Sequence, residues 1–290
     1  MRIRRRIAVT LAALALVTIV IATAARAHTL FLKLDSFFLE PNSTATVALY
    51  NGDFDKSENA VARDRMLDVS VVGPGGVVHP PESAWTDSAV FHWSPDSVDT
   101  ALLSFETGDP GTYLIGVSTA ARVITLSAED FNEYLVHDGI TDLIEQREAA
   151  GKTGDAATER YSKHVKALVQ VGDARSGEWA HELGYPVEFM PLANPYELGV
   201  GDELRVRFLR AGESVANQLV YANYEGHHGH TEAGEHVEAV TTRTDGEGVA
   251  TIPLSGEGRW YVRTIHMVET TDEADVDYES NWATLTFQVR

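Results

Sequence analysis

Two stretches with the alternation of strands, separated by a stretch with a helical period, lay out the architecture this chain predicts. From Phe37 to Leu126 the pattern is β. Leu67-Asp68-Val69-Ser70-Val71 alternates apolar and polar positions as a strand with one buried face should, and Val47 with Leu49, Tyr113 to Val117 and Val123 to Leu126 read as further strands. Pro41-Asn42-Ser43, Gly73-Pro74-Gly75-Gly76 and Gly108-Asp109-Pro110-Gly111 supply the turns between them. Short strands with regularly placed turns predict an antiparallel sandwich.

The period then changes. Ser127 with Asp130 predicts a capping box, Phe131, Tyr134 and Leu135 share one helical face, and Asp138-Gly139 ends the helix. Leu143 and Ile144 lie in a second helical piece that ends near Gly151. After Lys152-Thr153-Gly154-Asp155, the residues Tyr161, His164, Val165, Leu168 and Val169 fall on one side of a third predicted helix, a stripe that reads as packing and not as a cofactor box. From Glu178 onward the β period returns. Leu204-Arg205-Val206-Arg207-Phe208 alternates strictly, Leu219 to Tyr224 and Val237 to Thr242 flank a histidine-rich segment, Thr244-Asp245-Gly246-Glu247-Gly248 reads as a hairpin-type turn, and Trp260 to Val268 and Thr284 to Val289 complete the set. A faint echo between Asp109 to Ile115 and Gly256 to Val262, each a glycine turn before an aromatic-led strand, suggests two related β units. The expected class is mainly β: two immunoglobulin-like or prealbumin-like antiparallel sandwiches joined by a helical insert. The divisions are 1–27 signal peptide, 28–126 first sandwich, 127–172 helical insert and 173–290 second sandwich.

The start of the chain changes the expected location. Arg2, Arg4, Arg5 and Arg6 form a positive region, Ile7 to Ala22 is an almost unbroken apolar run, and Ala25-Arg26-Ala27 is a small-x-small cleavage site before His28. Export to the periplasm or beyond is expected, with an uncleaved N-terminal anchor as the rival. No second long apolar segment follows. The five arginines up to Arg26 leave with the signal peptide and no acid does, so 18 basic residues face 43 acidic ones and the mature charge is −25. Such a surface repels nucleic acid and attracts cations, and it equally suits a salty habitat. Cysteine is absent, which excludes disulfides, thiolate ligands and cysteine nucleophiles.

Candidate chemistry gathers at Gly226-His227-His228-Gly229-His230-Thr231-Glu232-Ala233-Gly234-Glu235-His236, which holds four of the eleven histidines. Imidazole suits nickel, cobalt, copper and zinc, and the glycines let the segment fold back so that His227, His228 or His230 faces His236. The bland alternative is a solvated turn with the weak metal affinity of a histidine tag. His28 is a second centre, because after cleavage its amino group and imidazole chelate one metal together; this is half of a copper histidine brace, with His79, His92 or His266 as sources of a third nitrogen. His266 shares a strand face with Trp260, Val262 and Val268, so it also reads as a hydrogen-bonded core residue. His137 and His164 read as surface or packing residues. Thr244 to Gly248 lacks the oxygen spacing of a calcium loop, and Asp272 to Glu279 reads as a solvated acidic run. No nucleophile elbow, zinc-protease helix or phosphate loop occurs, so an enzyme is the less favoured class.

Phe131-Asn132-Glu133-Tyr134-Leu135 with Gly139-Ile140, and Glu159-Arg160-Tyr161-Ser162-Lys163-His164-Val165-Lys166-Ala167-Leu168, resemble the signature of an exported family of unknown function. Leu198 with Gly201-Asp202, Thr244-Asp245-Gly246, Gly258-Arg259-Trp260, His266-Met267 and Asp277-Tyr278-Glu279-Ser280 with Trp282 extend the resemblance over nearly all of the mature chain. Members of that family are often labelled periplasmic components of nickel or cobalt uptake, of the CbiK or NikM type. The resemblance implies a periplasmic two-domain protein that serves membrane transporter components, with no site residues to carry over. Two other readings stand beside it: a copper carrier or oxidative enzyme built on His28, and an adhesion or interaction protein in which metal is incidental.

Overall fold

The computed structural model describes residues 28–89, 100–227, 229–230, 236–271 and 274–290, with the backbone alone for 87–89, 229–230 and 236–237. The first half holds β1 (Thr29–Lys33), β2 (Phe38–Leu39), β3 (Thr44–Gly52), β4 (Met66–Gly73), β5 (Gly76–Val78), β6 (Trp85–Ala89), β7 (Thr100–Glu106), β8 (Gly111–Thr119) and β9 (Arg122–Leu126). Two helices follow, α1 (Ala128–His137) and α2 (Thr141–Ala149). The second half holds β10 (Ala157–Val171), β11 (Val187–Pro191), β12 (Glu203–Arg210), β13 (Glu213–Ser214), β14 (Leu219–Tyr224), β15 (Gly229–His230), β16 (His236–Val237), β17 (Val240–Arg243), β18 (Val249–Pro253), β19 (Gly258–Glu269) and β20 (Tyr278–Val289). The chain is mainly β, as its alternation predicts, and most pairings are antiparallel.

The centre of the molecule is a ten-stranded sheet in the order β17-β14-β19-β20-β10-β8-β4-β5, with β2 and β9 also paired to β10. β10 and β20 run parallel from Glu159↔Tyr278 to Ala167↔Thr286. A four-stranded sheet, β1-β3-β7-β6, covers one face: Thr284 and Thr286 of β20 donate to the carbonyls of Leu30 and Leu32 on β1 at 2.9 and 2.6 Å. A second four-stranded sheet, in which β12 pairs β11, β13 and β18, covers the other, where Lys166 of β10 meets Glu188 of β11. Successive side chains on a strand point to opposite faces, so the two covering sheets take alternate residues of β10 and β20. One large core of Leu, Val, Phe and Trp side chains, including Leu32, Val47, Val165, Leu168, Phe208, Trp260 and Phe287, runs through the layers.

This arrangement corrects the third predicted helix. Residues 157–171 form a strand whose last ten residues are all buried, at the C-terminal end of the 127–172 segment expected to be helical. A strand covered on both faces needs apolar residues at successive positions, so its sequence loses the alternation that marks a half-exposed strand. Tyr161, His164, Val165, Leu168 and Val169 then match a helical stripe by spacing alone.

The other two helices are where the pattern places them. Ser127 Oγ accepts from Asp130 N at 3.1 Å and donates to Asp130 Oδ2 at 2.7 Å, forming the predicted cap. Phe131, Tyr134 and Leu135 are buried against Tyr278 and Trp282 of β20. Gly139, at φ +72°, ends the first helix, and its carbonyl accepts from Tyr221 Oη at 2.8 Å. The Thr244 to Gly248 turn differs from expectation in its context: it joins β17, paired to β14, to β18, paired to β12, and so links two sheets and closes no hairpin ladder.

Candidate metal centre

The histidine-rich segment leaves the central sheet after β14 and returns through β17, which pair with each other from Leu219↔Arg243 to Ala222↔Val240. Beyond this ladder the chain forms the two-residue antiparallel pair β15·β16. Gly229 stands opposite Val237, and His230 opposite His236. Residues in register on antiparallel strands share a face with Cβ atoms about 4.5–5.5 Å apart. The fold therefore brings together the backbone positions of two of the four candidate ligands. His227 precedes the pair, with its amide donating to the Tyr224 carbonyl at 3.1 Å and its ring 5.4 Å from that of Tyr224. His228 lies outside the described residues, as do 231–235 between the two short strands.

Both roots of this ribbon are pinned by ion pairs. At the first root, Glu225 accepts from Arg259 Nε at 2.5 Å and lies 3.4 Å from Lys33 Nζ. Lys33 is 1 % exposed and donates to the Phe54 carbonyl at 2.6 Å; its burial lowers its pKa, and Glu225 and Asp55 oppose that shift. At the second root, Glu238 accepts from Tyr261 Oη at 2.6 Å and from Arg263 at 3.3 Å. Between the roots, Phe31, Phe54 and Tyr261 pack with ring centroids 4.8–5.2 Å apart. Both ends of the ribbon thus start from residues held in ion pairs and hydrogen bonds at the sheet.

The other histidines are placed separately. His28 Nε2 lies 3.3 Å from Glu58 Oε2, and burial lowers its pKa. His266 stands across from Asn281 on β20; its Nδ1 is 2.8 Å from Gln218 Oε1 and its buried Nε2 has no partner. Because the Gln218 amide nitrogen donates to Thr264 Oγ1, its oxygen accepts, and His266 therefore carries its proton on Nδ1. Burial holds the ring's pKa below its usual value. His164 is fully enclosed: Ser118 Oγ bonds Nδ1 at 2.9 Å, Ser162 Oγ bonds Nε2 at 3.0 Å, and burial pushes its pKa down to about 4. It is a packing histidine. His79 is exposed beside Asp68 at 3.4 Å, and His137 is exposed at the end of α1. His92 lies outside the described residues. Among the described residues, no three His, Asp or Glu side chains gather closely enough to hold a metal.

Sequence reasoning missed a set of buried charges. Glu159 is 1 % exposed and accepts from Tyr134 Oη at 3.1 Å and from Ser280 Oγ; burial pushes its pKa up to about 7. Lys163, two registers along the same face of β10, donates to the His28 carbonyl and lies 4.8 Å from the Trp282 ring; burial pushes its pKa down to about 7. Lys33 is the single cation of an apolar strand, and that isolation is the trace it leaves in the sequence; Lys163 stands among the charged and polar residues of β10 and leaves none.

The chain belongs to the family described as domain of unknown function DUF4198, which it matches over residues 25–268. No curated protein matches it. Among solved structures, the chain is similar to the D0-D1 domain of intimin at 12 % identity, covering 89 % of this chain and 96 % of that one with a TM-score of 0.20. It is also similar to trypsin-activated alpha-2-macroglobulin from Escherichia coli, at 10 % identity, covering 91 % of this chain and 16 % of that one, TM-score 0.21. The Escherichia coli adhesin FdeC is similar at 14 % identity, with 89 % and 63 % covered and a TM-score of 0.19. Likenesses at these scores carry no argument about function.

Proposed function

We propose that this chain is an exported accessory protein that captures a divalent transition metal, nickel or cobalt, and passes it to the membrane components of an uptake system. The observation that carries this reading is the register of β15·β16, which sets His230 across from His236 on a ribbon rooted by Glu225 and Glu238. Histidines at facing register positions of an antiparallel pair offer two nitrogen donors, half of a tetrahedral shell or one side of an octahedral one. His227 and His228 precede the pair in sequence, and the strongly acidic surface draws cations toward it. Copper and zinc are the competing metals for such nitrogen donors. The role is capture and delivery in the periplasm or outside the cell, without turnover.

The test is calorimetry with nickel, cobalt, copper and zinc on protein shown by mass spectrometry to begin at His28. Submicromolar nickel or cobalt binding that is lost in His230→Ala/His236→Ala supports metal capture. Retention of that binding in the double variant rejects capture by the ribbon, and its absence from the parent protein rejects metal capture in favour of an interaction protein.

A further inference from the structure

The first described residue is held as a ligand would be held. His28 precedes β1, yet both its ring and its main chain are fixed: Nε2 lies 3.3 Å from Glu58 Oε2, and its carbonyl accepts from the buried ammonium of Lys163. Metal-bound histidines characteristically keep the non-ligating ring nitrogen protonated against a carboxylate, which turns the lone pair of the other nitrogen outward. Glu58 stands in that place, so the ring atom left for a metal is Nδ1. Nδ1 and the α-amino nitrogen of the same residue close a six-membered chelate ring around one cation. The charges of Glu58, Asp53 and Asp138 all act on His28, against the single cation Lys163, so the local field favours a bound cation.

We propose that, once the chain is cut after Ala27, His28 chelates a divalent transition metal through its α-amino nitrogen and Nδ1, with Glu58 positioning the ring and Lys163 fixing the main chain. This second centre is separate from the histidine ribbon and does not depend on it. Two nitrogen donors rank copper(II) above nickel(II) in affinity, and the remaining coordination positions are open to water or to an acceptor.

The experiment removes the ribbon from the question. In protein whose mass begins at His28 and in which His227, His228, His230 and His236 are all alanine, copper(II) and nickel(II) are titrated by calorimetry, and the copper form is examined by electron paramagnetic resonance. One equivalent of copper with nitrogen hyperfine structure is expected. Keeping residues 22–27 in front of His28 removes its free α-amino group and abolishes the signal, as does His28→Ala, while circular dichroism stays unchanged because the strand begins at Thr29. Glu58→Gln weakens copper binding by about 10–100-fold, the usual cost of losing a carboxylate behind a metal-bound histidine. Equal copper binding by the protein that keeps residues 22–27 overturns the site, and an unchanged affinity in Glu58→Gln overturns the role of Glu58. Loss of nickel binding on removing the ribbon while the copper signal persists separates the two centres.

Discussion

Lys166 on β10 and Glu188 on β11 form an ion pair in which both side chains are 2 % exposed, and this pair joins the central sheet to the sheet that covers it. Glu188 also accepts from the amides of Leu183 and Gly184 at 3.1 and 2.9 Å, while Lys166 reaches the Phe189 carbonyl at 3.3 Å. The pair is fully satisfied, so removing one member is far worse than removing both. Glu188→Ala leaves a buried ammonium and two unpaired amides, and it should destabilise the protein by about 3–5 kcal/mol. Lys166→Met/Glu188→Leu should recover most of that loss. Urea unfolding of both variants measures the difference, and a cost below about 1 kcal/mol for Glu188→Ala would contradict the arrangement.

Two buried groups give opposite pH dependence. His164 takes up its proton near 6.5 in the unfolded chain but only at about 4 when folded. The unfolded state therefore binds more protons between those values; the contribution of His164 is complete above 6.5 and disappears as pH falls through 4. At 1.36 kcal/mol per unit this amounts to about 3 kcal/mol. Glu159 behaves inversely. Its folded pKa is raised from 4.5 to about 7, so its contribution is complete below 4.5 and is lost as pH rises through 7. In the parent protein the two slopes offset each other over much of this range. His164→Gln should expose a stability that falls with rising pH, and Glu159→Gln one that rises. Stability curves at pH 4.5, 5.5 and 6.5 that stay parallel to the parent's in both variants would defeat the assignment.

The helix cap offers a local test. Ser127 and Asp130 satisfy each other at the start of α1, and the helix lays Phe131, Tyr134 and Leu135 onto Tyr278 and Trp282. Ser127→Ala should cost about 1 kcal/mol, the usual loss for an N-cap, and Ser127→Thr, which keeps the hydroxyl, should restore it. Thermal unfolding followed by circular dichroism reads both. A Ser127→Ala protein as stable as the parent would mean that the cap contributes nothing beyond the packing of the helix.

What was legible in the chain depended on exposure. A strand with one wet face, such as β12, announces itself by alternation, and α1 announces itself by a cap and an apolar stripe. β10 does not, because both of its faces are covered and its lysines point to different partners: Lys163 to the His28 carbonyl, Lys166 to Glu188. Its position in the middle of the sheet depends on β8 and β20, more than forty residues before it and more than a hundred after it, and a window of a dozen residues contains neither. The histidine ribbon was visible because glycine and histidine concentrate there. Its roots were not, since Glu225 and Glu238 are ordinary acids until the fold brings Lys33, Arg259 and Arg263 to them.

The cross-strand placement of His230 and His236 makes metal binding a stability effect as well as an affinity. A metal that bridges β15 and β16 binds the folded ribbon, and the unfolded chain offers the same histidines without their register. Nickel at a hundred times its dissociation constant should therefore raise the unfolding free energy by about 2.7 kcal/mol, less whatever the unfolded histidines bind. The effect should vanish in His230→Ala/His236→Ala. It should persist in His79→Ala, which changes an exposed histidine far from the ribbon in sequence and paired with Asp68. Glu238→Ala tests the root: with Arg263 and Tyr261 losing their shared acceptor, the ribbon is less fixed, and the nickel-dependent gain should shrink while the ligands themselves remain. Differential scanning calorimetry with and without nickel measures all four proteins. An equal nickel-dependent shift in the parent and in the double histidine variant would show that the metal acts elsewhere on the acidic surface.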